Sequence, residues 1–426
     1  MKNLAFLLFM ISSFFIQNQM VWGQCDGDIH LETQEDVENF VSDYGCSVIE
    51  GNLIIGANEF PFVDTDISDL SALSSITHIE GNLWIQNNDF LSSLNGLENL
   101  NTIGNALSLF DNDILNSLSS LENLDSLGGT LTIGVNGLLT NLVGLENLSN
   151  IGGLVIQNND TLISLAGLEN ISMIKGSMEV LFNDILDDLS ELENLDTIGG
   201  SLRIIDNAAL NSITGLEKID FLNGGLTITD NNTLSNLDGL ENLSTINGIL
   251  SISSNDVLSS LTGLENLNVH NGNLYIINNN ALSSLDGLQN LLIIEGQIGV
   301  SFNQILSDCC AIKDLLTVTQ GEIQILDNAT GCNSIEEIPT DCSLNVSTIF
   351  SDMLNLFPNP NQGQFVLQNK TNESFSYKIY NSLGQLIIEQ KTTGNNEEIM
   401  LAEAGLYVVM VETENGVWVE KVVVNF

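Results

Sequence analysis

The amino-acid sequence predicts an all-β protein, a right-handed parallel β-solenoid of about 11–12 turns followed by a small β-sandwich. Three observations lead to this fold class. One motif recurs about every 24 residues, its core alternates in the manner of a strand, and the repetition stops near Cys342. A fixed period of this length is typical of a solenoid, in which each repeat packs only on its neighbours.

The first 23 residues have the features of a signal peptide. A basic start is followed by the apolar run "LAFLLFMISSFFI", too short to span a bilayer, and Val21 and Gly23 occupy the small-residue positions of a cleavage site. We predict cleavage after Gly23 and, since no other long apolar run follows, no membrane span in the mature protein. A lipid-modified Cys25 is the alternative, although Gln24 is unlike the small residue that precedes such a cysteine.

The charge balance excludes two classes of partner. The 426 residues include 55 acidic and 9 basic ones, for a formal net charge of −46. Nucleic acids and anionic membranes both require a cationic surface, so neither is a predicted partner. A hydrophobic content of 43 % argues against disorder and for a folded acidic protein.

The strand of each repeat is the core "L-x-I". An aliphatic residue always stands two positions after the first, so both side chains face inward from a short strand. The steps are mostly 24 residues, but the first spans 30 because it contains the insertion "FPFVDTD". The first residues of the core are Leu53, Leu83, Leu107, Leu131, Leu154, Met178, Leu202, Leu226, Leu250, Leu274, Ile298 and Ile323.

An asparagine follows five residues after each of these positions. Its amide donates and accepts at once, so a stacked column of asparagines links adjacent coils and satisfies the backbone where the chain leaves the strand. We predict a structural role for this column, which we call the asparagine ladder. Its members are Asn58, Asn88, Asn112, Asn136, Asn159, Asn183, Asn207, Asn231, Asn255, Asn279, Asn303 and Asn328.

The rest of each repeat carries a leucine or isoleucine at every third position, as in Leu91, Leu94, Leu97, Leu100 and Ile103. On an α-helix each such step turns about 60° away from one face. The spacing therefore favours a flattened coil of short extended segments and turns, with six or seven aliphatic side chains directed inward.

Six cysteines flank or close the repeats. An even number in an exported protein predicts disulfides, and the open ends of a solenoid need covering. We predict a cap at residues 24–50 with Cys25 linked to Cys46, a solenoid at 51–331, and a cap and linker at 332–352. The remaining pairing stays open, and no CxxC pair or neighbouring histidine indicates a metal site. The cysteines are Cys25, Cys46, Cys309, Cys310, Cys332 and Cys342.

The repeat resembles two known modules. Its core is similar to leucine-rich repeats, but the next leucine stands three residues after the asparagine, as Leu91 does after Asn88, where those repeats have two. The longer pattern "I-x-G-x-L-x-I-x-x-N-x-x-L-x-x-L-x-G-L-E-N-L" resembles the receptor L-domain, the ligand-binding module of insulin- and growth-factor-type receptors. The resemblance covers about residues 50–330 and implies a β-helical fold with a binding role.

Residues 353–426 form a different unit. Short alternating runs and the turn signal Asn415-Gly416 predict a small β-sandwich. This tail resembles the type A C-terminal sorting domain of the type IX secretion system of Bacteroidetes. The resemblance implies the type IX machinery as partner, passage through the periplasm to the outer surface or the medium, and removal or anchoring of the tail. The matching residues are Pro358, Asn359, Pro360, Gly363, Gly384, Gly405, Tyr407 and Lys421.

No cofactor is predicted, but two acidic sets leave calcium as an alternative. The segment "DTDISD" places Asp64, Asp66 and Asp69 close together. A column of repeated glutamates either caps the individual turns or shares hard cations between them. Its members are Glu98, Glu122, Glu146, Glu169, Glu193, Glu217, Glu241 and Glu265.

The three histidines, His30, His78 and His270, suggest no catalytic site. His270 falls at an inward position, where Val269 could take the core place through a one-residue bulge and leave the imidazole on the surface.

The outward strand positions vary freely and form the candidate binding surface. They carry one carboxylate, Glu179, beside Arg203, too few acids and bases for a polysaccharide-cleaving enzyme. We predict an exported, non-enzymatic binding or adhesion protein that captures an extracellular protein or glycan, with Ile54, Trp84 and Phe110 as the main contact. A purely structural surface-layer component is the alternative, an enzyme the third possibility, and burial of this patch under "FPFVDTD" a competing expectation.

Overall fold

The computed structural model describes residues 23–57, 65–319, 321–339, 342, 354–359, 361–369, 375–381, 385–392, 396–413 and 416–424. Several sequence predictions concern residues outside these ranges. They are the signal peptide apart from Gly23, most of the insertion with Asp64, the ladder position Asn58, the motif residues Pro360 and Gly384, and the turn residue Asn415.

A parallel sheet of 13 strands, which we call the long sheet, runs along the solenoid and confirms the predicted fold class. The strands pair in register from one coil to the next, and the sheet starts inside the segment predicted as the N-terminal cap. The strands are Ile29–Leu31, Leu53–Gly56, Leu83–Gln86, Leu107–Phe110, Thr130–Gly134, Gly153–Gln157, Met178–Leu181, Leu202–Ile205, Leu226–Thr229, Leu250–Ser253, Leu274–Ile277, Ile298–Ser301 and Ile323–Leu326.

Short strands later in each coil form two further parallel sheets. The first has five strands, Gly23–Cys25, Cys46–Ile49, His78–Ile79, Thr102–Ile103 and Ser126–Leu127. The second has seven strands, Asn150–Ile151, Met173–Ile174, Thr197–Ile198, Phe221–Leu222, Thr245–Ile246, Val269–His270 and Ile293–Ile294.

The core is a continuous stack of aliphatic side chains between these sheets. Leu83 and Ile85 of one strand are fully buried, and so are the residues at every third position after them, from Leu91 to Ile103. The prediction of an inward row with a period of three is confirmed. Each coil buries its row against the rows above and below, and this burial is the main source of stability in such a fold.

The asparagine ladder lies at the end of the long sheet strands. Every described ladder residue before Asn328 is fully buried. The Nδ2 atom of Asn183 donates to the Ile156 carbonyl at 3.0 Å and to Oδ1 of Asn207 at 3.2 Å. Its Oδ1 atom accepts the backbone N–H of Asn159 at 3.1 Å. Each amide therefore ties its own coil to both neighbouring coils.

The residue before each ladder asparagine from Asn88 onward has a left-handed backbone, with φ between 53° and 60°. Asparagine and aspartate tolerate this conformation, whereas a β-branched residue such as Val135 is strained in it. Asparagine and aspartate are frequent at this position, and this enrichment indicates a left-handed backbone, which the sequence analysis missed. The residues are Asn87, Asp111, Val135, Asn158, Phe182, Asp206, Asp230, Ser254, Asn278, Phe302 and Asp327.

The first position of "GLENL" requires glycine for a separate, steric reason. Its φ lies between 103° and 118°, and an added Cβ would overlap a carbonyl of the preceding coil. Residues 72, 120, 191 and 311 occupy the same position without glycine, and these turns become 3₁₀ helices, Ser71–Leu73, Ser119–Leu121, Ser190–Leu192 and Cys310–Ile312. The glycines are Gly96, Gly144, Gly167, Gly215, Gly239, Gly263 and Gly287.

The asparagine of "GLENL" forms a second, exposed column that the sequence analysis also missed. The Nδ2 atom of Asn194, for example, donates to the Glu169 carbonyl one coil earlier at 2.9 Å. Lys218 takes the place of one member and donates to Oδ1 of Asn194. The members are Asn99, Asn123, Asn147, Asn170, Asn194, Asn242, Asn266 and Asn290.

Both ends of the solenoid carry disulfides. At the N-terminal end helix α1 (Gln34–Asp43) begins at the N-cap Thr33, buries Val37 and Phe40, and the predicted Cys25–Cys46 bond is present. At the other end helix α2 (Leu315–Val318) lies just before the last strand of the long sheet, and a 3₁₀ turn (Ile335–Glu337) follows that strand. The bonds there are Cys309–Cys332 and Cys310–Cys342.

The tail contains two antiparallel sheets that share a core. One comprises Leu354–Phe357, Gln364–Asn369 and Asn396–Met400, and the other Leu386–Thr392, Phe375–Asn381, Gly405–Thr413 and Gly416–Val424. Phe365 and Ile399 of the first sheet pack in one cluster with Phe375 and Val409 of the second, as in a sandwich. The last two strands form the predicted hairpin, but Gly416 pairs with Thr413 and so belongs to a strand.

The predicted surface position of His270 is wrong. No bulge forms, because Val269 and His270 pair in register with the coils on both sides, and His270 stands in the column of Ile246 and Ile294. The side chain is fully buried, and its Nε2 lies 2.9 Å from the Asn273 carbonyl oxygen. This hydrogen bond offsets part of the cost of placing an imidazole in an aliphatic column.

Candidate functional site

The outward residues of the long sheet form one continuous surface, which we call the outer face. They alternate with the buried residues along each strand and are mostly half-buried. Between Trp84 and Leu326 the charged members are Glu179 and Arg203 alone. In chain order the outer face consists of Trp84, Gln86, Ser108, Phe110, Thr132, Gly134, Val155, Gln157, Glu179, Leu181, Arg203, Ile205, Thr227, Thr229, Ser251, Ser253, Tyr275, Ile277, Gly299, Ser301, Gln324 and Leu326.

These two charges form an ion pair across adjacent strands. Arg203 Nη1 lies 3.3 Å from Glu179 Oε1, and the two residues are direct neighbours in the register. Both side chains are partly exposed, so the pair adds well under about 1 kcal/mol to stability. Its larger effect is that the outer face has no net charge, although the whole chain carries −46.

The structure divides the predicted contact patch. Ile54 pairs with Trp84 in the register but is only 2 % exposed, so the prediction of an accessible Ile54 is wrong. A fully packed isoleucine has no surface left to offer a ligand. Trp84 and Phe110 are half-buried and remain on the outer face, with Phe110 opposite Gln86. Their role in binding stays a prediction.

Two aromatic rings of the outer face lie across glycines of the next strand. A Cβ on Gly134 would fall 2.9 Å from Cδ2 of Phe110, and a Cβ on Gly299 would fall 2.8 Å from Cδ1 of Tyr275. Each glycine stands directly beside its aromatic residue in the register. Glycine inside a strand often marks such a close approach. The absence of a side chain leaves room for one side of each ring, Cδ2 and Cε2 of Phe110 and Cδ1 and Cε1 of Tyr275, against the next strand.

The glutamate column proves to cap backbone turns. Glu98, for example, accepts the N–H of Gly96, and Glu146, Glu169, Glu217, Glu241 and Glu265 accept in the same way from the glycine two residues earlier. Glu122 and Glu193 instead end 3₁₀ turns and are exposed. Calcium between coils stays untested.

The two described carboxylates of "DTDISD" accept hydrogen bonds from nearby residues. Asp66 accepts the backbone N–H of Gln34, and Asp69 accepts from the backbone and hydroxyl of Ser71. These hydrogen bonds attach the segment to helix α1 and to the first 3₁₀ turn.

A different acidic group, which the sequence analysis missed, could hold a cation. Asp89, Asp111 and Asp113 each place a carboxylate oxygen within 4.8 Å of the other two. They stand beside the ladder residues Asn88 and Asn112 in adjacent coils. Oxygen ligands of this kind suit a hard cation such as calcium. The equivalence of Asp89 and Asp113 by one repeat was visible in the sequence, but the convergence of all three carboxylates depended on the turn.

The histidines occupy three different surroundings. His30 is exposed on the first strand of the long sheet, and the exposed His78 has Nδ1 2.8 Å from Thr77 Oγ1. Burial lowers the pKa of His270, and the hydrogen bond to the Asn273 carbonyl opposes part of that shift. A neutral buried imidazole follows.

Several of the described motif residues of the tail pair with its last strand or belong to it. Asn359 Oδ1 accepts the N–H of Val423 at 2.9 Å, and the adjacent residue Pro358 is exposed. Gly363 has a φ of 84°, and the Tyr407 hydroxyl donates to the Glu403 carbonyl at 3.1 Å. Gly405 pairs with Val424 and Lys421 pairs with Val408.

Within the ranges that the structure describes, no helix has the length and apolar character needed to cross a bilayer.

Comparison with known families agrees with both resemblances. Residues 45–116 match the family model of the Receptor L domain, and residues 355–425 match that of the Secretion system C-terminal sorting domain. No curated protein matches the chain. The sorting tail indicates export by the type IX system to the cell surface or the extracellular space. The chain thus joins a β-solenoid, similar to receptor L domains in its first coils, to a type IX secretion sorting domain.

Proposed function

We propose that this protein is a non-enzymatic binding protein that captures an extracellular ligand on the outer face of the long sheet. Export is indicated by the tail, and the match to the Receptor L domain supports a ligand-binding use of the coils. The observation that carries the proposal is the lack of net charge on the outer face of a very acidic chain.

Charge depletion is a property of binding surfaces. The centres of protein interfaces carry few charged residues and are enriched in aromatic ones, because buried unpaired charges weaken binding. Trp84, Phe110 and Tyr275 supply aromatic surface here, and the flanking turns carry the acids. An inert scaffold has no reason to keep one face neutral while the others are strongly acidic.

The same face supports a non-enzymatic role. Cleavage of a glycosidic bond ordinarily needs two carboxyl groups that face each other across the substrate. From Trp84 to Leu326 the outer face offers Glu179 as its one carboxylate, and Arg203 pairs with it. A purely structural surface-layer component remains the second candidate, favoured by the regularity of the coils alone.

The test uses purified exported protein on an array of plant, algal and animal glycans together with immobilised extracellular matrix proteins. Trp84→Ala should abolish a captured signal without altering the melting curve, whereas Phe90→Ala should not change it. Phe90 is the matched control, since it is aromatic and 61 % exposed but lies on a turn outside the outer face. If Trp84→Ala leaves binding unchanged, the binding site lies elsewhere. If no ligand is captured and the pure protein forms ordered lattices in electron micrographs, the surface-layer role is favoured.

A further inference from the structure

We propose that Phe110 over Gly134 and Tyr275 over Gly299 are two stacking sites for an uncharged saccharide chain. This inference rests on the proposed binding function and names its ligand class. It starts from the two rings that pack one side against the long sheet at a place where the next strand has no side chain. Both residues remain half-buried on the outer face, so part of each ring is open to a ligand.

The positions of Gly134 and Gly299 support this proposal. A strand interior ordinarily avoids glycine, because glycine packs poorly and loses more backbone freedom on folding. At the second outward position Gly134 is the one glycine among the described strands from Leu83–Gln86 onward, and at the first position Gly299 is the one. Each follows directly after an aromatic residue in the register. The pairs therefore place the rings in a defined orientation before any ligand arrives.

Polar side chains around the rings suit a ligand rich in hydroxyl groups. Gln86 stands opposite Phe110 in the register, and Gln157 stands on the far side of Gly134. The Tyr275 hydroxyl donates to Gln297 Oε1 at 2.9 Å, and Ser251 lies on the adjacent strand. Hydroxyl and amide groups both donate and accept, as sugar hydroxyls require.

The acidic residues at the edge of the outer face favour an uncharged saccharide over an anionic one. The outer face itself is neutral, whereas carboxylates follow immediately at its edge, as Asp111 does after Phe110. Uronate and sulfate groups would meet this acidic margin in a chain of net charge −46, and like charges repel at such distances. A neutral sugar meets no such penalty.

The two sites lie far enough apart to favour a polymer. Seven strand steps separate Phe110 from Tyr275, which at about 4.8 Å per step is roughly 34 Å. A short oligosaccharide reaches one ring, while a longer chain engages both. Two linked contacts bind far more tightly than either alone, because the second forms within the same complex.

The test measures binding of the exported full-length protein to the neutral polysaccharides laminarin, dextran, galactomannan and xyloglucan, with alginate and polygalacturonate as charged counterparts. Gly134→Ala and Gly299→Ala displace a ring without removing it. Each should weaken binding of a neutral polymer about three- to tenfold, since one aromatic contact is affected. The double variant should weaken binding about ten- to a hundredfold, because both contacts are affected, and Phe110→Leu should behave like Gly134→Ala.

Gly137→Ala serves as the matched control. Gly137 lies on a turn off the outer face, and an added Cβ would meet only the Asp113 carbonyl at 3.4 Å. It should bind as the parent does, and all variants should melt as the parent does.

Unchanged binding in the double glycine variant would overturn the proposal, as would equal affinity for alginate and laminarin, or no binding to any neutral polymer. If the protein instead binds a matrix protein and Trp84→Ala abolishes this binding, the proposed binding function is supported and the proposal of a saccharide ligand is wrong. If neither class is captured, both proposals fail.

Discussion

Replacing Asn183 with leucine removes one amide from the middle of the asparagine ladder while keeping a side chain of similar size. The lost groups can be counted from the structure. The N–H of Asn159 loses its acceptor, Oδ1 of Asn183, and has no water within reach because both residues are fully buried. Oδ1 of Asn207 keeps a donor, since the backbone N–H of residue 183 still reaches it at 3.1 Å.

One stranded buried donor costs about 1–3 kcal/mol, and the remaining lost bonds add less because their acceptors keep other partners. Leucine at position 183 should therefore lower the free energy of unfolding by about that amount. Asn194→Leu is the matched control. It makes the same change in the same coil, but Asn194 is exposed and water replaces its bond to the Glu169 carbonyl.

Denaturation by guanidinium, followed by circular dichroism, compares the two variants. Because solenoids can unfold in stages, the midpoints should be accompanied by hydrogen exchange of the Asn159 amide. Exchange of this amide should accelerate strongly in Asn183→Leu and hardly at all in Asn194→Leu. Equal midpoints in the two variants, or an unchanged Asn159 exchange rate, would refute the role given to the ladder.

Three further changes test other features. Burial lowers the folded-state pKa of His270, so the unfolded chain binds the proton more readily and the stability due to the neutral imidazole is lost as pH falls below about 6.5. The advantage of His270→Ile in melting temperature should thus be larger at pH 5 than at pH 8, and a constant difference would contradict this. Val135→Asn should stabilise by about 1 kcal/mol in urea titrations, because Val135 has a φ of 55°; Val155→Asn in a regular strand should show no such gain. Gly215→Ala should lose at least about 1 kcal/mol, since φ is 106° and the Cβ overlaps the Leu189 carbonyl, and equal stability of Gly215→Ala and Gly137→Ala would contradict the steric account.

The features that could be predicted from the sequence are those that recur in every repeat. The ladder, the leucines at every third position and the inward strand residues each recur in about twelve copies, so a single physical reason could be tested against the whole set. The left-handed position recurs eleven times and the second asparagine column eight times in the described residues. They escaped notice because their meaning lies in backbone geometry and in contacts between coils.

Features that occur in a single repeat were harder to predict from the sequence. The burial of Ile54 depends on what packs near the irregular first step, and no repeat offers a comparison. His270 was assigned to the surface because imidazole is unusual in an aliphatic column, yet the register of the neighbouring coils holds it there. The contacts of Phe110 with Gly134 and of Tyr275 with Gly299 depend on side-chain packing between adjacent strands, which the repeat pattern does not specify.

The disulfides at the two ends have a mechanical consequence. A protein held at a surface by its C-terminal side and loaded through a ligand is pulled along the axis of its coils, and a stack of coils under tension peels from its ends. Cys25–Cys46 ties the first coil, while Cys309–Cys332 and Cys310–Cys342 tie the last. Peeling from either end therefore meets a covalent bond before it reaches the hydrogen-bonded interior. Under oxidising conditions the array should resist stretching as one rod, and reduction should turn the same array into a chain that unwinds coil by coil.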